Sequence, residues 1–210
     1  MNREFFNYNK NMLDKIQLDD QPFDISVDQL PCLISYSEKT GGSHFSVSFI
    51  ADLSLSGSKI LFLTAYPMAT ENFLKQVNDS GSSITQIESL EDLRRNIDTQ
   101  VIMIKSGDEE FFMEVVDSLT DIDERIVFVK NIETFKQDTV KRCLGLEKVI
   151  LSGDIDKCDL KEEILKKTYT TTVLFGLSKI DPFLKVPPLK KYTGYLRSKD
   201  VEGVVKLKIC

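Results

Sequence analysis

Short apolar runs alternate with helix-spaced apolar residues from residue 31 onward. CLISY (32–36) ends at a glycine turn and reads as a buried strand. Phe45, Phe49, Ile50 and Leu53 then recur at helical spacing, and Gly57 stands where a C-cap glycine belongs. KILFLTAY (59–66) predicts a second strand, broken by Pro67 before a short helix over 71–77. SGSSITQIES (80–89) reads as a loop and weak strand, LEDLRRNI (90–97) as a helix and QVIMIK (100–105) as a third apolar run. Phe111, Phe112, Val115, Val116 and Leu119 mark one face of a helix. RIVFVK, KVILSG and TTTVLFGLS are three further strands, separated by the helical patterns QDTVKRCLGLE and LKEEILKK.

Strand–helix alternation of this kind implies right-handed crossovers. It predicts an α/β fold of three layers: a mostly parallel β-sheet with helices on both faces. The tail departs from the pattern. PFLKVPPLKK (182–191) is a proline-stiffened connector, and 192–209 holds two β-rich arms about residues 199–203, an antiparallel β-hairpin at a sheet edge. Residues 1–30 are polar and acidic, with Phe5, Phe6 and Tyr8 as their apolar group, and are expected to be a lead-in segment. Residues 31–210 then form one domain carrying the C-terminal hairpin 192–209.

Composition narrows the function classes. Apolar residues make up 41% and charged residues 29% of the 210, an ordinary globular balance. The 33 acids outweigh 27 bases, for a net charge of −6 spread along the chain, which argues against a general nucleic-acid coat. A local basic patch stays open: Lys190, Lys191 and Arg197, with Tyr192 and Tyr195 between them, suit nucleic acid or an acidic partner as well as plain solvent. No apolar run nears the roughly 18–20 residues that span a bilayer, so no membrane contact is expected. The N-terminus has no signal-peptide core, and four scattered cysteines with one histidine predict neither zinc nor disulfides. A cytoplasmic location is the expectation.

The candidate chemistry lies in the first glycine turn, YSEKTGGS (36–43). Against the phosphate-loop pattern G-x-x-x-x-G-K-[ST] it keeps Gly41 and Ser43. Tyr36 replaces the first glycine and Gly42 the lysine. In such loops backbone N–H groups cradle phosphate, the lysine neutralises it and the hydroxyl holds magnesium. Thr40, Gly41, Gly42 and Ser43 still suit an anion nest, or simply a tight strand-to-helix turn. Lys39 lies inside the loop, either reaching a phosphate or solvated. His44 opens the helix, either near an anion at its positive end or exposed.

From this loop through KILFL the spacing resembles, without a gap, the RecA/KaiC-like branch of the P-loop ATPases, and the layout does so over about residues 30–210. The resemblance implies a RecA-like P-loop fold and three checkable positions. The Walker A lysine falls on Gly42. The acidic pair after the second strand falls near Tyr66 and Pro67. The Walker B aspartate falls on Lys130 in RIVFVKN, or on Lys105 if QVIMIK is that strand. A lysine where magnesium needs a carboxylate inverts the local charge. With all three replaced, the expectation is a catalytically inactive member acting as a scaffold or assembly subunit, through a protein partner or self-association. The alternatives are a nucleotide- or anion-binding regulator without hydrolysis, and a nucleic-acid-associated accessory factor. No cofactor is expected; ATP, ADP or phosphate are the ligands that residues 39–44 leave open.

Overall fold

The computed structural model describes residues 16–18, 21–22, 30–37, 40, 42–65, 75, 78, 81–104, 108–119, 125–176, 193–198 and 205–209. Its strands are β1 (Ile16–Leu18), β2 (Gln21–Pro22), β3 (Cys32–Tyr36), β4 (Ile60–Thr64), β5 (Ile84–Ile87), β6 (Val101–Ile104), β7 (Ile126–Lys130), β8 (Val149–Gly153), β9 (Thr171–Phe175), β10 (Thr193–Ser198) and β11 (Val205–Ile209). They join in one sheet, in the order β2-β1-β11-β10-β9-β3-β8-β7-β4-β6-β5. The block from β9 to β5 is parallel throughout. β10 and β11 form the expected antiparallel hairpin, but not at the sheet edge: β10 pairs with β9, and β11 pairs with β1, so that β1 and β2 lie outside it. Strands CLISY, ILFLT, IVFVK, VILSG and TTVLF are buried along their whole length, as fully covered parallel strands must be.

Helices α1 (Gly42–Leu55), α2 (Leu90–Arg95), α3 (Glu109–Leu119), α4 (Gln137–Leu144) and α5 (Lys161–Lys166) supply the outer layers. Phe45, Phe49, Ile50 and Leu53 of α1 pack with Ile34, Phe62, Phe128 and Phe175 on one face of the sheet. Leu93 of α2, Phe112 and Val116 of α3, Val140 of α4 and Ile164 of α5 pack with Leu33, Leu61, Val129 and Leu151 on the other. Each such side chain, fully buried, contributes about 1.5–3 kcal/mol.

The helix ends follow their sequence signals. Gly57, at φ +91, closes α1: its N–H reaches Ser54 O and that of Ser58 reaches Leu53 O, both at 3.0 Å. Ser89 caps α2 by accepting Asp92 N–H at 3.1 Å. Asp108 caps α3 in the same way through Phe111 N–H at 3.0 Å. Glu109 serves the next helix instead. Its carboxylate accepts from Lys136 N–H (2.8 Å) and Thr139 Oγ1–H (2.6 Å), fixing the start of α4. Most of the predicted helix over 71–77, and the connector 182–191, lie outside the described residues.

The order positions the site. From β3 the chain crosses to β4 over one face, through α1. From β8 it crosses to β9 over the other, through α5. Adjacent β3 and β8 thus send their connections to opposite sides, and the crevice this opens at their carboxyl ends is where parallel α/β sheets place ligands.

Candidate functional site

The loop from β3 to α1 lies at that crevice. Of its predicted residues, Thr40, Gly42 and Ser43 are described, while Lys39, Gly41 and the side chain of His44 lie outside the described residues. The loop is tied down on the β9 side. Thr40 Oγ1 donates to Ser37 O at 2.7 Å, and Ser37 Oγ donates to Gly176 O at 3.1 Å. Gly176 has φ +67, and a Cβ there would stand 2.6 Å from Thr40 Cβ and 2.8 Å from Ser37 Oγ. Both its conformation and this close approach demand glycine.

Tyr36 and Gly42 occupy each other's space. A Cβ on Gly42 would lie 2.6 Å from Tyr36 Cγ and 2.8 Å from Cδ1. The tyrosine is 7% exposed. Its hydroxyl sits near Ser152 and Ser43 but makes no hydrogen bond of ordinary geometry with any described group. Burial raises its ionisation to about pH 12; the two serine hydroxyls oppose the shift, and the charges of Glu133 and Asp154 add to it. Beside it runs a buried chain of hydroxyls. Ser46 Oγ donates to Gly42 O at 2.8 Å and lies 2.7 Å from Ser152 Oγ. With its own proton committed to Gly42, Ser46 accepts from Ser152, and this joins α1 to β8.

The register carries Ser152 onward. It pairs with Ile34 of β3 on one side and Lys130 of β7 on the other. The two strands weighed for the Walker B position therefore differ in distance. β7 is two strands from β3, about 10 Å, whereas β6 is four away, about 19 Å, at ~4.8 Å per strand. Lys130 stands near the loop. Lys105 lies beyond β6, outside the described residues.

Lys130 is 3% exposed, and its ammonium lies 3.4 Å from Asn131 Oδ1. Burial lowers its pKa, and the charge of Glu133 partly restores it. Asn131 adopts a left-handed backbone, φ 64, and its N–H donates to Ser152 O at 2.6 Å. Glu133 turns back to accept Asp154 N–H at 3.0 Å. Gly153 leaves room for this turn, since a Cβ there would come 2.8 Å from Ile132 N. Ser46, Ser152, Asn131 and Glu133 were not singled out in the sequence. They come together through strand order, which no local pattern encodes.

Other chemistry is muted. Among the described residues no group of three His, Cys, Asp or Glu side chains could hold a metal. Burial pushes the thiols of Cys143 and Cys158 up to about pH 12, which leaves them poor nucleophiles. Arg197 is exposed on β10, while Lys190 and Lys191 lie outside the described residues. Among the described residues no helix is long and apolar enough to cross a membrane.

No family model and no curated protein matches the chain in sequence. Solved structures do match. The genome packaging NTPase B204 of Sulfolobus turreted icosahedral virus 2, in complex with AMPPCP, aligns over 89% of this chain and 100% of its own, at TM-score 0.60 and 12% identity. The cytoplasmic domain of EssC aligns over 72% of this chain and 37% of its own, at TM-score 0.39 and 14% identity, too slight to carry an argument. By its likeness to B204, the chain has the fold of the P-loop NTPases.

Proposed function

We propose that this chain is a P-loop domain of the RecA/KaiC type that hydrolyses no nucleotide and serves as a scaffold or assembly subunit. The exchange at positions 36 and 42 carries the reading. Where a phosphate loop has glycine and then lysine, this one has tyrosine and then glycine, and the tyrosine ring fills the room a lysine side chain would need. Lys130 supports it from the other side of the crevice, since a buried ammonium repels the divalent cation that a carboxylate would hold. Phosphoryl transfer depends on positioning and charge neutralisation, and neither remains in place. The test is steady-state ATP and GTP hydrolysis by the purified chain with magnesium. The expected rate is that of the buffer; turnover abolished by a substitution in residues 40–43 overturns the reading.

A second reading is a regulatory anion or nucleotide site without hydrolysis. It is favoured by the unpartnered Tyr36 hydroxyl beside Ser43, in the first turn of α1. The nucleotide analogue bound by B204 makes AMPPCP the first ligand to titrate, with and without magnesium. Binding at saturating analogue raises stability by about 2.7 kcal/mol at ~100 Kd, and an unchanged melting temperature disposes of this reading. Nucleic-acid contact through Lys190, Lys191 and Arg197 ranks third, tested by salt-dependent binding of single strands.

A further inference from the structure

Two buried hydrogen-bond donors at the crevice lack an acceptor of matching strength. The Tyr36 hydroxyl has no partner of ordinary geometry among the described residues. The Lys130 ammonium, which carries three donors, makes one hydrogen bond among the described residues, to Asn131 Oδ1 at 3.4 Å. That is longer than the roughly 2.7–2.9 Å of a strong charge-assisted bond. A buried donor left unsatisfied is costly, and a charged one more so.

Both donors belong to the same side of the sheet. Tyr36 follows Ile34 by two residues in β3, and Lys130 follows Phe128 by two in β7; Ile34, Tyr36 and Phe128 all pack in the core on the α1 side. Ser152 pairs with Ile34 in one direction and Lys130 in the other, so β8 sets it between the two donor strands. The charge of Glu133 acts on Tyr36 and Lys130 alike, which gathers them about one carboxylate. Helix α1, 14 residues long, starts here with Ser43 beside the Tyr36 hydroxyl and no acid in its first turn. Its positive end therefore adds to the donors.

Donors of this kind ask for an anion, and the carboxylates nearby set its charge. Glu133 accepts from Asp154 N–H at 3.0 Å, and Asp154 stands 3.4 Å from Lys157 Nζ. Both acids keep negative charge close to the site. A phosphate dianion or a nucleoside triphosphate would meet that repulsion in full, and Lys130 repels the magnesium that would relieve it. A singly charged ligand meets the least of it.

We propose that the crevice binds a small free monocarboxylate, without a metal, through the Lys130 ammonium, the Tyr36 and Ser43 hydroxyls and the start of α1. This rests on the anion-site reading and names its ligand class. Because both principal donors are buried, a compact free carboxylate reaches them where one borne on a peptide is shut out.

Thermal shift at constant ionic strength tests it. The ligands are sodium formate, sodium acetate, N-acetylglycine as a mimic of a chain terminus, inorganic phosphate and AMPPCP, each with magnesium and with a chelator. Formate and acetate should raise the melting temperature saturably, and equally with or without magnesium. N-acetylglycine, phosphate and AMPPCP should do less at equal concentration. Lys130→Met should abolish the shift, measured from its own unliganded baseline. Tyr36→Phe should weaken the apparent affinity about tenfold, the loss of one hydrogen bond to a charged ligand. If a variant fails to fold, the ranking of the ligands on the wild type decides. No shift with formate or acetate, a shift that needs magnesium, one that survives in Lys130→Met, an unchanged affinity in Tyr36→Phe or a stronger response to N-acetylglycine each overturns the proposal. So does a rise that never saturates and is shared by chloride, which would mark a general salt effect only. Binding of phosphate or AMPPCP with the carboxylates inert overturns the carboxylate assignment but keeps the anion site. Silence from all five ligands removes the anion-site reading as well, so the two failures are distinguishable.

Discussion

Tyr36 Cγ stands where a side chain on Gly42 would have to grow, 2.6 Å from the Cβ such a residue would carry. The two positions are therefore one steric unit. Gly42→Ala should cost about 1–3 kcal/mol through overpacking, read as a lower urea midpoint. Adding Tyr36→Gly should recover part of that loss, with a coupling of about 0.5–3 kcal/mol. Strict additivity of the two single changes would mean that the ring does not set the limit at position 42.

The Tyr36 hydroxyl tests the environment rather than the sterics. It is buried without a partner of ordinary geometry, so Tyr36→Phe should be neutral or stabilising by up to about 1 kcal/mol. The folded-state ionisation near pH 12 lies above the unfolded value near 10. This contribution to stability is thus complete below about pH 10 and lost as pH rises toward about 12. Alkaline unfolding of Tyr36→Phe should set in later and less steeply than in the wild type. Tyr169, whose hydroxyl is also buried, keeps a share of the transition. Superimposable alkaline curves would show that Tyr36 ionises as freely folded as unfolded.

Lys130 holds a charge where burial disfavours it. Lys130→Met keeps most of the side-chain volume and should stabilise the protein at pH 7 by about 1 kcal/mol, a rise of roughly 2–4 °C in melting temperature. A lowered folded pKa means the wild type gains stability as pH climbs through that value toward the unfolded one, so the advantage of Lys130→Met should shrink on the alkaline side. A melting temperature that drops in Lys130→Met would point to a strong partner for the ammonium.

Ser46 and Ser152 link α1 to β8 through one buried bond of 2.7 Å. Ser152→Ala should cost about 1 kcal/mol, while Ser46→Ala/Ser152→Ala should cost less than the sum of its parts, since removing both partners leaves no stranded hydroxyl. Chemical denaturation of the three variants reads the cycle. Simple additivity would mean the two hydroxyls act independently.

The sequence by itself determined the elements. Short, mostly apolar runs such as ILFLT and VILSG read as covered strands, and Gly57 closes α1 as its place in the pattern requires. It also let the glycine turn 36–43 be compared with the phosphate-loop pattern, with Tyr36 and Gly42 where that pattern has glycine and lysine. Only the tertiary structure decided which of the two apolar runs ending in lysine lies near the strand that carries the loop. Lys105 and Lys130 end similar apolar runs, and the strand order alone brings β7 within two strands of β3. The same holds for Ser46 meeting Ser152, 106 residues apart. The reason is physical. Helix and strand formation answer to neighbours a few residues away, whereas a crevice is built by strands adjacent in the sheet and distant in the chain, and their order is set by crossovers that no local residue pattern specifies.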